Sequence, residues 1–127
     1  MKIAVVSQNF QTITGKTGRA RRFLVYEIDK EGEITLLEKL EIPDTEPTFH
    51  DLHTDDITPH RVNEMVLITR EAGEGLTERL SRRGITVYIT SETDPKTAIK
   101  KVVDGTIPIV PPTTHKEDGD CLFQEED

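Results

Sequence analysis

The stretch that most constrains the fold is residues 65–105. An apolar run, MVLIT (65–69), passes through the turn REAGEG into a helical pattern at about 74–83, and a second apolar run, ITVYIT (85–90), leads into a second helical pattern. Strand, helix and strand in succession require a crossover, which joins parallel strands and is right-handed. Leu76 and Leu80 lie one turn apart and face a core, while Glu78 and Arg82 pair across the outer face. Asp94 is placed as an N-cap before Pro95 at the first helical position. Ala98, Ile99, Val102 and Val103 then form an apolar stripe that Gly105 ends.

The first half must fit around that parallel pair. IAVVS (3–7) is apolar enough for a central strand buried on both faces. RFLVYEI (22–28) and ITLLEKLEI (34–42) are strand-like and joined by DKEGE, whose Glu31–Gly32 pair supplies a hairpin turn. Prolines 43, 47 and 59 exclude one continuous helix in the next segment, leaving a short helix from Thr58 or Pro59 to Asn63. There are no internal repeats. The expected fold is α/β: a mixed five-stranded sheet in spatial order 3-2-1-4-5 with helices on its faces.

In that order strands 1, 3, 4 and 5 run one way and strand 2 the other. One rim then gathers the loop 8–21, the basic start of strand 2, the histidine segment after strand 3, the turn 70–75 and residues 91–94. Strands 1 and 4 are adjacent with connections leaving in opposite directions, the arrangement that opens a ligand crevice.

A length of 127 residues is one domain's worth, expected over 1–108, followed by an acidic tail, 109–127, expected to be disordered. The single Cys121 excludes an intrachain disulfide framework and a Cys-x-x-Cys metal site. The start, MKIAVVSQNF, is too short in apolar residues for a signal-peptide core or a membrane span, so a cytoplasmic protein is expected. The net charge of -8 is uneven: residues 112–127 hold one lysine against six acids. The rest is nearly balanced, and Lys16, Arg19, Arg21 and Arg22 cluster without an intervening acid. On charge alone this is a solvated basic surface.

Chemistry-bearing patterns are sparse. The turn REAGEGL lacks the Gly-Lys-Ser/Thr of a phosphate loop and the full Gly-x-Gly-x-x-Gly, and Glu71 and Glu74 would repel phosphate. It reads either as a tight corner or as one wall of a pocket, supplying helix N–H groups. His50 and His53, with His60 beyond, could reach one metal if their segment coils, though surface histidines near acids are the simpler reading. His115 and Cys121 in the tail are further ligand types. No Gly-x-Ser-x-Gly occurs. A two-metal nuclease on this strand order would place carboxylates on strand 1 and at the end of strand 4, where the chain reads IAVVSQ and LITR.

Three stretches, MKIAVVS, TGRARRFLVYEID and LITREAGEGLTERLSRRGITVYITSETDP, make the chain resemble the dinitrogenase iron-molybdenum cofactor biosynthesis family from about residue 2 to 108. The resemblance implies a ribonuclease-H-like α/β/α fold without nuclease activity, and a part in nitrogen-fixation chemistry. It also implies a non-enzymatic role in binding or carrying an iron-sulfur or iron-molybdenum cluster, held transiently between metallocluster donor and acceptor proteins. By position, Gly18 and Arg19 match the family's Gly-Arg segment, and Ala72, Gly73 and Gly75 match its glycine turn. Arg70 and Glu71 stand where glycines are usual, Glu74 where proline is common, and Thr17 where an aromatic residue precedes the Gly-Arg pair. An anionic cluster suits a rim of Arg19, Arg21, Arg22 and Arg70, with His50 and His53 as metal ligands. No nucleic-acid or membrane partner is expected. Two other classes remain open: a regulatory module binding a small anionic metabolite or nucleotide in the same crevice, and an interaction domain that uses its acidic tail.

Overall fold

The computed structural model describes residues 1–14, 17–49, 61–63 and 65–108. Its centre is β1 (Lys2–Val6), where Ile3, Ala4, Val5 and Val6 are all fully buried. Alternate residues point to opposite faces. A strand apolar at every position therefore needs cover on both sides. β2 (Arg22–Ile28) pairs with it antiparallel, β3 (Ile34–Glu41) extends β2 as an antiparallel hairpin, and β4 (Val66–Thr69) lies parallel on the other side of β1. β5 (Thr86–Ile89) is parallel to β4, giving the order β3-β2-β1-β4-β5. This is the order expected from the sequence.

The two faces hold separate cores. On one, Ala4, Val6, Phe23, Val25 and Leu67 pack with Leu76 and Leu80 of α1 (Glu74–Arg82). On the other, Ile3, Val5, Leu24, Tyr26 and Ile68 pack with Ala98 and Ile99 of α2 (Pro95–Asp104). The result is three layers, α/β/α, with α1, which crosses from β4 to the parallel β5, on one face and α2, which follows β5, on the other. Glu78 and Arg82 do meet along the outside of α1, at 3.8 Å. Val103, counted in the α2 stripe from sequence, remains 41% exposed at the margin of its helix.

The β2–β3 turn owes its shape mainly to Asp29, whose carboxylate accepts the N–H groups of Glu31 (3.0 Å) and Glu33 (2.8 Å). Gly32 closes the turn at φ 85, where a side chain would be strained. β3 is an edge strand that leaves Leu36 and Leu37 exposed, and it is blunted by Glu38, Lys39, Glu41 and a register shift opposite Val25/Tyr26. Of the short helix expected to end at Asn63, residues 61–63 form a turn and the remainder lies outside the described residues. Among the described residues no helix is long and apolar enough to cross a membrane.

α2 begins as its sequence requires. The Asp94 carboxylate accepts from the Thr97 N–H (2.9 Å) and the Thr97 hydroxyl (2.6 Å), Pro95 follows, and Gly105 ends the helix in the left-handed region at φ 74. Those two hydrogen bonds, the hydroxyl's first, hold the Asp94 carboxyl below its ordinary 3.8. A depressed native pKa gives stability that is present above the unfolded value and lost as pH falls through the native one. Asp94→Ala is expected to cost about 1 kcal/mol at neutral pH. Urea unfolding of both proteins should show the gap closing as pH drops below 3.8; a gap unchanged at about pH 2 would assign the effect to something other than the carboxylate.

Candidate functional site

The loop after β1 is a rigid piece of backbone. The Asn9 side-chain oxygen accepts the N–H groups of Gln11 and Thr12, both at 2.9 Å, and its amide nitrogen donates to the Thr12 hydroxyl at 2.9 Å. The Ser7 hydroxyl donates to the Thr12 carbonyl at 2.6 Å, and the Thr14 N–H returns to the Val6 carbonyl at 3.0 Å. This doubling back puts Phe10 at φ 60, a conformation that a bulky residue adopts only when its surroundings compel it.

The loop also touches the other segments of the rim. The Ile13 N–H donates to the Thr93 carbonyl (2.9 Å), joining it to the β5–α2 connection, and the Ser7 N–H donates to the Arg22 carbonyl (3.0 Å), joining it to the start of β2. Further along, the Thr17 N–H donates to the Glu71 carbonyl (3.1 Å), which ties the basic segment to the turn after β4. At the β5–α2 connection, Lys101 donates to Glu92 at 3.0 Å, a hydrogen bond that holds the Glu92 carboxyl below its ordinary range.

The four arginines take different places. Arg21 donates to the backbone carbonyls of Pro43 (2.7 Å) and Glu46 (2.9 Å), so its charge braces the segment leaving β3. Glu46 in turn receives a two-pronged contact from Arg61 at 3.0 and 2.7 Å. Arg22 donates to the Gln8 carbonyl at 3.0 Å, lies 3.4 Å from Glu41 and stands over the Phe10 ring at 5.6 Å. Arg19 and Arg70 are exposed, Arg19 two residues after Thr17 and Arg70 directly before Glu71, on the two segments that the Thr17–Glu71 hydrogen bond joins.

The glycine turn is open. Gly18 and Ala72 are buried, whereas a side chain added at Gly73 or Gly75 would meet nothing within 4 Å. Gly73 has φ -77 and caps α1 with no side-chain hydrogen bond, so glycine here leaves space beside the first helical N–H groups and is not demanded by a strained backbone. The first turn carries one acid, Glu74, which tempers any attraction of anions to this end.

The Thr17–Glu71 hydrogen bond thus joins the segment carrying Gly18 and Arg19 to the one carrying Arg70, Ala72 and Gly73, while Arg21 and Arg22 brace neighbouring backbone and Gly75 lies in the first turn of α1. His50 and His53 lie outside the described residues, between Phe49 and Arg61. Among the described residues no group of three or more His, Cys, Asp or Glu is placed to hold a metal ion. Sequence reasoning missed Thr17 and Thr69 as partners. Their side chains are fully buried and their hydroxyls lie 2.8 Å apart. A threonine at the end of the strand beside the crevice was the one available signal.

The family model described as dinitrogenase iron-molybdenum cofactor matches residues 1–105. A search among curated proteins gives no match. Among solved structures, the protein named PH0822 is similar at 24% identity and TM-score 0.60, over 87% of this chain and 96% of its own. A protein of Methanocaldococcus jannaschii provisionally named a dinitrogenase is similar at 18% identity and TM-score 0.62, over 89% of this chain and 97% of that one. The apo form of the orange protein of Desulfovibrio gigas is similar at 18% identity and TM-score 0.54, over 87% and 93% respectively. At these identities the likeness to solved structures speaks for the fold.

Proposed function

Because the chain belongs to the dinitrogenase iron-molybdenum cofactor family, we propose that it is a non-enzymatic binding or carrier domain whose cargo is an anionic iron-sulfur or iron-molybdenum cluster. The observation that carries this reading is the joining of two exposed cations, Arg19 and Arg70, across the switch point between β1 and β4, beside the open end of α1. Cations and the N–H groups of a helix N-terminus attract a sulfide-rich anion without fixing it by covalent bonds. Weak attachment suits a protein that receives its cargo from one partner and releases it to another. Arg21 and Arg22 serve by bracing the rim. His50 and His53, on the segment between Phe49 and Arg61, are proposed as one or two additional metal ligands.

Anaerobic reconstitution with ferrous iron, molybdate and sulfide, followed by desalting, is expected to leave a charge-transfer absorption with the protein. The His50→Ala/His53→Ala variant should keep part of that absorption with a shifted spectrum, since the histidines would add bonds to a cluster that the cations already attract. Wild-type protein emerging colourless would overturn the cluster reading. Salt-sensitive binding of a small phosphorylated metabolite by that colourless protein would favour a regulatory role for the same crevice.

A further inference from the structure

We infer that Thr17 and Thr69 form a hydroxyl clasp that sets the separation of the two cation-bearing segments of the rim, which makes both of them positioning residues for the site. The inference rests on the reading of that rim as the cargo site.

The two side chains are 52 positions apart in the chain, and both are fully buried. Their oxygens, 2.8 Å apart, share a third partner: the Glu71 carbonyl lies 2.9 Å from the Thr17 hydroxyl and 3.2 Å from that of Thr69. Two hydroxyls bring two protons. If Thr17 donates to Thr69, the Thr69 proton goes to the carbonyl; if Thr69 donates to Thr17, the Thr17 proton does. Either way two hydrogen bonds link the three oxygens in a chain that ends on the carbonyl, and the Thr17 N–H adds a further bond to the same carbonyl at 3.1 Å. This chain of bonds is anchored to the sheet, because the Thr69 carbonyl accepts the Thr90 N–H at 2.9 Å.

Stability alone does not call for this arrangement. Leu67, Ile68, Ala20 and Ala72, all near in sequence to the pair, are buried, and two valines in place of the two threonines would fill nearly the same volume. Removing both hydroxyls removes their mutual bond at little cost to folding: the Glu71 carbonyl keeps the Thr17 N–H at 3.1 Å, and the one group that loses its partner, the Glu71 N–H at 3.3 Å from the Thr69 hydroxyl, belongs to an exposed residue. A hydrogen bond, unlike an apolar contact, prescribes a distance and a direction. Arg70 is the residue after Thr69 and Arg19 is two beyond Thr17, so the prescribed distance passes directly to the two cations.

The test uses the full chain and the variants Thr17→Val, Thr69→Val, their combination and Thr17→Ser, each followed by urea unfolding, amide exchange and release on dilution of the chromophore formed with ferrous iron, molybdate and sulfide. Each valine variant is expected to release the chromophore about tenfold more readily, as loss of one such bond implies. The double variant should lose no more than either single one, because the pair acts as a unit. Thr17→Ser, which keeps the hydroxyl, should behave as wild type, and the amide at position 17 should exchange faster in Thr69→Val while those of β1 stay unchanged. Wild-type chromophore retention by the double variant, or losses that add and follow the urea midpoints, would overturn the inference. If wild-type protein forms no chromophore, the cargo reading fails, and the exchange at position 17 alone then decides the clasp: faster supports it, unchanged rejects it.

Discussion

Phe23→Ala is expected to lower folding stability by about 3–5 kcal/mol, the usual cost of emptying an aromatic site in a packed core. Phe23 is fully buried, opposes Val6 on β1 and Leu40 on β3, and belongs to the cluster that receives Leu76 and Leu80 from α1. Those neighbours come from three elements, so no single one can move in to fill the space. A domain of this size is stable by only about 5–15 kcal/mol, so the loss would be a large share of the total. The site should loosen as well, because Phe23 follows Arg22, whose carbonyl accepts the Ser7 N–H. The urea midpoint should fall with the slope of the transition unchanged. Val103→Ala, at a side chain 41% exposed, is the control and should change stability by less than about 0.5 kcal/mol. Equal effects from the two substitutions would refute the assignment of Phe23 to the centre of the core.

The strand order was readable because each step had a local cause. An all-apolar IAVV must lie inside a sheet, DKEGE must fold back, and two strand-to-helix passages leave few ways to arrange a parallel pair. Asp94, Pro95 and Gly105 marked the ends of α2 for equally local reasons. The site was legible only in part. Clustered arginines were visible, but not that Arg21 would spend its hydrogen bonds on the carbonyls of Pro43 and Glu46, or Arg22 its own on that of Gln8. Carbonyl directions are set by tertiary folding and have no signature in residue type. The same holds for Thr17 and Thr69: a hydrogen bond across 52 positions leaves no periodic trace. Phe10 shows the opposite limit, since nothing about a phenylalanine announces φ 60; the preceding Asn9, which folds its side chain onto the next turn, was the cause to look for.

Reversing both exposed cations, Arg19→Glu with Arg70→Glu, is expected to weaken cluster retention by on the order of a hundredfold. Two unit charges about 4 Å apart interact by about 1 kcal/mol even at the dielectric constant of water. The double reversal changes the local charge by four units, so about 4 kcal/mol is at stake against a singly charged cargo, and screening at physiological ionic strength, with a Debye length of about 8 Å, takes about a third of it away. What remains corresponds to about a hundredfold. Both side chains are exposed, so circular dichroism and the urea midpoint should change little. The neutral pair Arg19→Gln with Arg70→Gln should fall between wild type and the reversal; raising salt should weaken wild-type retention, leave the neutral pair nearly indifferent and, by screening repulsion, raise what the reversed protein retains. That ordering separates a field effect from a local one: a direct metal bond made elsewhere on the rim would leave all three proteins with similar retention and similar salt response, and would remove the arginines from the binding account.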